Sequence, residues 1–461
     1  MPPYNKLSTM ERAGLTFLLL LAGLVLISLC KDLLFYFRSY GYEIKLFGII
    51  AGNDGSWNDS WGPMYYAAWV RLFEPDSDLY QTVFFGDTIK FQYPPISLLP
   101  IMPFVAANVE EEVFFYYMGY LAIAAVLISG YVIYRIILAA SALFYGTGFS
   151  NKGWNVFAFG LSLVGTLTYY PIVFGIYLGQ VQVFLNMIVC FAMWALVVDR
   201  KTIAGVLIAF AALIKPQFLL FLVWSLLRRQ HRFTRGMIAV FVPAGVASLY
   251  VFGWQAHLDY VSVISFIGRH GEVYWPNQSM NGLLNRLLSG ADPMVFSTAD
   301  FAPYNGIVYI GTLVSTAVLI VIALFFIYVS RRDSGENKTR RGKCSEVLDF
   351  SVMLVVSTIA SPIAWEHHYG ALWPVIIVAL MIAISAFRTS PSWQTAIAVA
   401  LVSGSYLLVS NYFYFIVEKY TLRLAPWNIV QSYIYFGGLM LLLSLIMLYR
   451  MPREKVLDSA I

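Results

Sequence analysis

Asp54 and Asp59 stand five residues apart in a stretch that also carries Trp57, Trp61, Tyr65, Tyr66 and Trp69. A carboxylate held beside such an aromatic, interfacial segment can take a proton from a hydroxyl that reaches it, which is general-base chemistry. Lys215 precedes Pro216 in the middle of an otherwise apolar run. An ammonium group at membrane depth is costly and marks a functional site by default, and its natural partner is a phosphate. Glu366, His367 and His368 follow a Ser361-Pro362 turn. Adjacent histidines project in different directions, so this trio suits contacts to a phosphate or hydroxyl better than shared ligation of a metal. Tyr93, Gln180, Gln182, Asn277 and Gln278 add a phenol and four amides, and Arg269 and Arg286 add two guanidinium groups.

Each motif also has a plainer explanation. Loop aspartates are usually solvated charges, Tyr93-Pro94-Pro95 can simply start a helix, and Lys215 can snorkel to the membrane surface. What favours chemistry is that these groups fall on one side of the membrane once the elements that carry them are laid out.

Those elements are helices in lipid. Of the 461 residues 59% are hydrophobic and only 12% charged, about half the charge that a soluble domain carries. Apolar runs of 18 or more residues recur along the chain, which is the signature of membrane-spanning helices. The aromatic share of 17% fits the belts that Trp and Tyr form at the membrane boundary. Cys30, Cys190 and Cys344 form no CxxC pair, which argues against a disulfide framework or a cysteine metal site. The first run, 13–30, is too long for a signal-peptide core and reads as a retained helix.

Basic loops set the orientation. Arg228–Arg235 holds four arginines, Arg331–Lys343 holds six basic residues against two acids, and Arg450, Arg453 and Lys455 mark the tail. The positive-inside rule puts all three in the cytoplasm together with Arg200-Lys201. Crossings then fall near 13–35, 113–138, 156–178, 181–198, 236–254, 307–330, 348–361, 369–387, 393–415 and 427–449. Loops 36–112 and 255–305 face outward, with interfacial helices near 62–73, 94–107 and 279–288. Residues 202–227 lie between basic ends and break at Pro216, so one crossing would violate the rule. A short re-entrant hairpin with Lys215 at its tip restores parity. The expected architecture is an all-α polytopic membrane protein of roughly 10–12 helices, folded as one domain over residues 1–461.

In order and spacing the motifs resemble glycosyltransferase family 87, the polyprenol-phosphate-sugar-dependent, mannosyltransferase-like membrane enzymes with the GT-C fold. The resemblance runs from about Asn53 to Tyr369. It rests on Asp59 ahead of Tyr65-Tyr66-Ala67-Ala68, on Tyr93-Pro94-Pro95, Gly179-Gln180-Val181, Leu213-Ile214-Lys215-Pro216 and Asn277-Gln278-Ser279, and on Ser361-Pro362 through His367. In this chain Trp61-Gly62-Pro63 separates Asp59 from the aromatic pair more widely than the family pattern, which keeps Asp54 as an alternative base. The resemblance implies an inverting transfer of a hexose, mannose by family analogy, from a polyprenyl-monophosphate donor to a lipid-linked or glycan acceptor. It places the reaction at the external face of the cell membrane. No cofactor, metal or nucleic-acid partner is expected.

Two other classes compete. A secondary transporter would concentrate polar groups near the midplane of repeated halves, and no motif is duplicated here. A lipid-linked glycan polymerase or ligase would share the compartment but should lack a first-loop aspartate. The orientation is testable by single-cysteine labelling in intact cells with an impermeant reagent. Positions in 255–305 should react and positions in 331–343 should not; the reverse pattern would overturn the topology.

Overall fold

The computed structural model describes residues 8–37, 58–146, 152–296, 301–333 and 340–450. Asp54 lies outside the described residues. An all-α chain emerges, as expected. Helix α1 spans Thr9–Phe37, and α2 covers Trp61–Phe73, where the sequence placed the first interfacial helix. Helix α3 runs Glu111–Tyr145; α4, Lys152–Leu167, and α5, Tyr170–Leu178, meet at a 51° bend. Helices α6, Gln182–Val197, and α7, Lys201–Ile214, lead to a 3-10 turn at Pro216–Leu219 and then α8, Leu220–Leu227.

Helix α9 runs His231–His270 and is interrupted at Gly253, whose φ of 73° is open to glycine at little steric cost. The short α10 covers Met280–Leu288. Helices α11, Gly306–Asp333, and α12, Arg340–Ile359, precede a 3-10 turn at Glu366–Leu372. The chain then continues through α13, Trp373–Thr389, α14, Trp393–Val409, and α15, Tyr433–Arg450.

Every crossing read from the sequence has a helix, but they are not alike. Among the described residues six helices are long and apolar enough to cross a membrane alone, and the bent α4–α5 pair makes a seventh. Helices α6 and α14 are shorter, and α12 starts with charges. One expectation needs correction: much of 255–305 is not a loop, because α9 continues beyond its kink to His270.

Apolar periodicity decides which faces meet lipid. On α9 and α11, Val242, Val246, Tyr250, Ile310, Val321 and Phe325 are exposed, as a lipid-facing surface requires. Helix α13 is buried along most of its length and packs against α1, α3 and α14.

The hairpin at 201–227 closes as parity demanded. Lys201 Nζ donates to Gln230 Oε1 at 2.9 Å and to Glu346 Oε2 at 2.8 Å, so both ends of the segment return to one place. Arg228 Nε pairs with Asp349 Oδ2 at 2.7 Å, and both side chains are buried. These pairs neutralise charge that burial would otherwise penalise. Helix α7 lies against α9 through glycines: a Cβ on Gly205 would stand 2.1 Å from the Phe233 carbonyl oxygen, and one on Gly236 2.2 Å from that of Thr202. Gly205→Ala and Gly236→Ala should each cost about 1–3 kcal/mol by overpacking. Gly245→Ala, with nothing within 4 Å, should cost nothing. Thermal unfolding of the purified variants in detergent checks the contrast.

Candidate active site

The base candidate is held by a backbone seam. Asp59 N–H donates to the Leu178 carbonyl at 3.0 Å and Ser60 N–H to that of Gly179 at 3.3 Å. Gly179 ends α5 with φ 69°, a left-handed turn that a residue with a Cβ resists. Ser60 Oγ accepts from Val181 N–H at 3.1 Å and donates to Gln180 Oε1 at 2.7 Å. Because a hydroxyl has one proton to give, the 2.8 Å contact between Ser60 Oγ and Tyr93 Oη is donated by the tyrosine. Gln180 Nε2 in turn donates to Asp59 Oδ2. The Gly179-Gln180-Val181 motif therefore does one job: it bends the chain, bonds the carboxylate and receives the serine beside it.

Lys215 owes its position to Pro216. The residue before a proline is pushed toward extended backbone, and Lys215 adopts φ −125°, ψ 98° as α7 ends. Its side chain is buried and contacts His368 Nε2. His367 and His368 meet edge-on with ring centroids 4.6 Å apart. The Nδ1 atoms of both are buried without a hydrogen-bond partner among the described residues.

Asp59, Tyr93, Gln180, Lys215, His367 and His368 all line one cavity of about 810 Å³. Its polar end also holds Lys90, whose ammonium pairs with Glu272 at 2.8 Å. Its other wall is apolar, formed by Ile214, Leu219, Leu220, Val223, Ile264 and Ile320. Leu219, Val223 and Ile264 on this wall are exposed. Burial pushes the Asp59 carboxyl up to about 6; the Gln180 hydrogen bond opposes that rise, Glu272 adds to it, and Lys90 and Lys215 oppose it. Among the described residues no group of three His, Cys, Asp or Glu side chains is placed to hold a metal.

Several expected ligand contacts lie elsewhere. Asn277 and Gln278 are fully buried and satisfy backbone. Asn277 bonds the carbonyls of Glu272 and Pro362 and accepts from Ala364 N–H. Gln278 bonds the carbonyls of Trp275 and Gln431 and accepts from Tyr435 N–H. They pin 276–278 against 364–366, with Gln278 N–H to Ala364 O at 2.8 Å and Glu366 N–H to Pro276 O at 3.1 Å, and so place the histidines.

Arg286 is also fully buried, donating to the carbonyls of Tyr274, Trp275 and Asn277 and to Ser432 Oγ at 2.6 Å. Arg269 is exposed near the end of α9 and does not line the cavity. Gln182 turns away to Asn186, and Glu366 accepts from Tyr170 behind the histidines. Sequence reading missed Ser60, Lys90 and Glu272. Lys90 is three residues ahead of Tyr93 in an acidic loop, a local signal, but its partner across the fold is not.

The family model for glycosyltransferase family 87 matches residues 91–362, more than half of the chain. The chain belongs to glycosyltransferase family 87. Among curated relatives it is similar to a polyprenol-phosphate-mannose-dependent alpha-(1-2)-phosphatidylinositol pentamannoside mannosyltransferase of Mycobacterium tuberculosis. The two are 25% identical over 323 residues, 68% of this chain and 64% of the relative. It is also similar to a polyprenol-phosphate-mannose-dependent alpha-(1-2)-phosphatidylinositol mannoside mannosyltransferase of Mycolicibacterium smegmatis. That pair is 24% identical over 329 residues, 68% of this chain and 66% of the relative. The chain thus spans just under two thirds of the length of both relatives. No solved structure matches it significantly. The family 87 match begins after Asp59 and ends before His367, so the roles of those residues rest on the geometry above.

Arg286 offers a test of the division between cavity and scaffold. Arg286→Leu strands several buried carbonyls, each costing about 1–3 kcal/mol. It should lower the thermal midpoint and the folded yield, whereas Arg269→Ala should leave both unchanged. Normal stability of Arg286→Leu would return that residue to the list of ligand contacts.

Proposed function

We propose that this family 87 protein is a membrane glycosyltransferase that moves a mannose-like hexose from a polyprenyl-monophosphate sugar to a lipid-linked or glycan acceptor. The reaction takes place at the external face of the cell membrane. The observation that carries the reading is one cavity in which a half-buried carboxylate, Asp59, shares space with a lysine, two histidines and an exposed apolar wall. The two relatives are named for a polyprenol-phosphate-mannose requirement, which supports the same donor class.

The donor's isoprenoid chain lies along Leu219, Val223 and Ile264, and its phosphate meets Lys215 and His368. The acceptor hydroxyl gives its proton to Asp59 as its oxygen attacks C1 from the side opposite the phosphate. The C1–O bond to phosphate breaks, and polyprenyl phosphate leaves with the electron pair. One displacement inverts the anomeric centre. Lys215 stabilises the charge that gathers on the leaving phosphate, so the scheme requires no metal. Gln180 fixes the direction in which the carboxylate faces, and Asp59, raised to about 6, remains mostly ionised at neutral pH while retaining basicity.

Purified full-length protein incubated with radiolabelled polyprenyl-phosphate mannose and a mixed lipid extract should yield a labelled product beyond the donor. Absence of such a product across extracts and sugars would sink the enzyme reading. Asp59→Asn should lose about 10²–10⁴-fold in rate with donor binding retained. Asp54→Asn, run beside it, should remain active; loss only in that variant would move the base to Asp54. Lys215→Met should raise donor KM or lower kcat.

The pH dependence has a defined sign. Protonated Asp59 cannot accept a proton, so kcat/KM should be level above its raised pKa of about 6 and fall tenfold per unit below it. An acid limb near the ordinary carboxylate range would contradict a buried base.

A further inference from the structure

The cavity holds a second polar cluster that the transfer step above does not use. Glu272 follows the end of α9 and is buried, and its two oxygens are committed to two cavity-lining groups. Oε1 accepts from Lys90 Nζ at 2.8 Å and Oε2 from Trp365 Nε1 at 2.7 Å. The Lys90 ammonium also stands over two rings, 4.9 Å from the centroid of Phe296 and 4.4 Å from that of Phe301. Trp365 meets Phe296 edge-on at 5.7 Å. It also neighbours Tyr274, with ring centroids 5.9 Å apart, and His367, 5.8 Å apart. Lys90, Gln92, Phe296 and Trp365 all face the cavity.

A structural ion pair would be expected to withdraw from a ligand space. This one presents its lysine to that space, beside aromatic rings and a glutamine amide, with Glu272 buried behind it. Aromatic rings next to charged and amide hydrogen-bonding groups are the chemistry that recognises a sugar ring: apolar C–H faces meet the rings, and hydroxyls meet the polar groups. The order of the reaction assigns the ring. Asp59 is within electrostatic reach of both Lys215 and the Lys90–Glu272 pair. If the phosphate is at Lys215 and the nucleophilic hydroxyl at Asp59, the rest of the acceptor extends away from the phosphate, into the remaining polar part of the cavity.

The geometry points to a separate acceptor subsite, formed by Lys90, Glu272, Trp365 and Phe296 with Gln92, that holds the terminal sugar ring of a glycan or glycolipid. It rests on the donor reading above and deepens it: the acceptor is a sugar hydroxyl, not a simple lipid alcohol. In this subsite Glu272 is a positioning residue that fixes Lys90 and Trp365, and Lys90, Gln92 and Phe296 contact the ring.

Binding to the full chain in lipid nanodiscs separates the two halves of the cavity. The probes are decaprenyl phosphate for the donor half and octyl glycosides of mannose, glucose and galactose for the acceptor half. Wild type should bind decaprenyl phosphate and at least one glycoside. Lys90→Met, Glu272→Gln and Phe296→Ala should each weaken that glycoside at least tenfold and leave decaprenyl phosphate within twofold, which also shows that the variants are folded. Lys215→Met should do the opposite. Phe296 belongs to neither ion-pair partner, so its variant tests the subsite even if breaking the pair disturbs folding. No glycoside binding by wild type, or equal losses of both probes in Phe296→Ala, would overturn the subsite. Failure of wild type to bind decaprenyl phosphate would instead overturn the donor reading. Glycoside affinity that all three substitutions leave unchanged would place the acceptor elsewhere.

Discussion

A broken helix survives inside a bilayer only where protein or a wet cavity satisfies the backbone that the break exposes. Pro216 imposes such a break. Its ring forces Lys215 out of helical geometry, and the freed end of α7 needs cover on every side. The turn at 366–372 supplies cover there through His368. Helix α9 fixes the opposite end of α7 through glycine contacts close enough to exclude any side chain. The ion pairs at the base of the hairpin hold its arms in place from below. The lysine is thereby held at depth, where its charge is expensive and for that reason useful.

The acid is placed by a different device. Asp59 belongs to a loop far from Gln180 in sequence, yet the two are joined by a backbone seam and by Ser60, which links the loop to Tyr93 as well. Three separate stretches therefore converge before any ligand is bound. Preorganisation of this kind keeps a carboxylate aimed without help from water, and the accompanying burial makes it more basic.

Much of this was legible in the residues. Helix positions followed from apolar runs, and the hairpin from charge parity around Pro216. Asp59, Gln180, Lys215 and the histidine pair could be read as one group because each is a polar residue that an apolar neighbourhood does not explain. The same reasoning failed for Asn277, Gln278 and Arg286. In a chain with so little polarity, a buried amide or guanidinium can serve a ligand or serve stray carbonyls, and residue type does not distinguish the two. Only the tertiary contacts do: Arg286 finds its carbonyls up to twelve residues away, and its Ser432 partner 146 residues away. Lys90 and Glu272 escaped for the converse reason. Each looks like an ordinary loop charge until the fold brings them together across 182 residues.

The base of the hairpin also constrains how the protein can be made. Lys201 finds Glu346 only after 145 further residues have been synthesised, and Arg228 must likewise wait for Asp349. Until α12 emerges from the ribosome, the Lys-Pro segment lacks both buried acidic partners, Glu346 and Asp349, and has no cover from the 366–372 turn. A nascent chain therefore carries Lys215 long before its partner His368 has been made. The cavity is completed later still, by the 366–372 turn that follows α12 and carries His367 and His368.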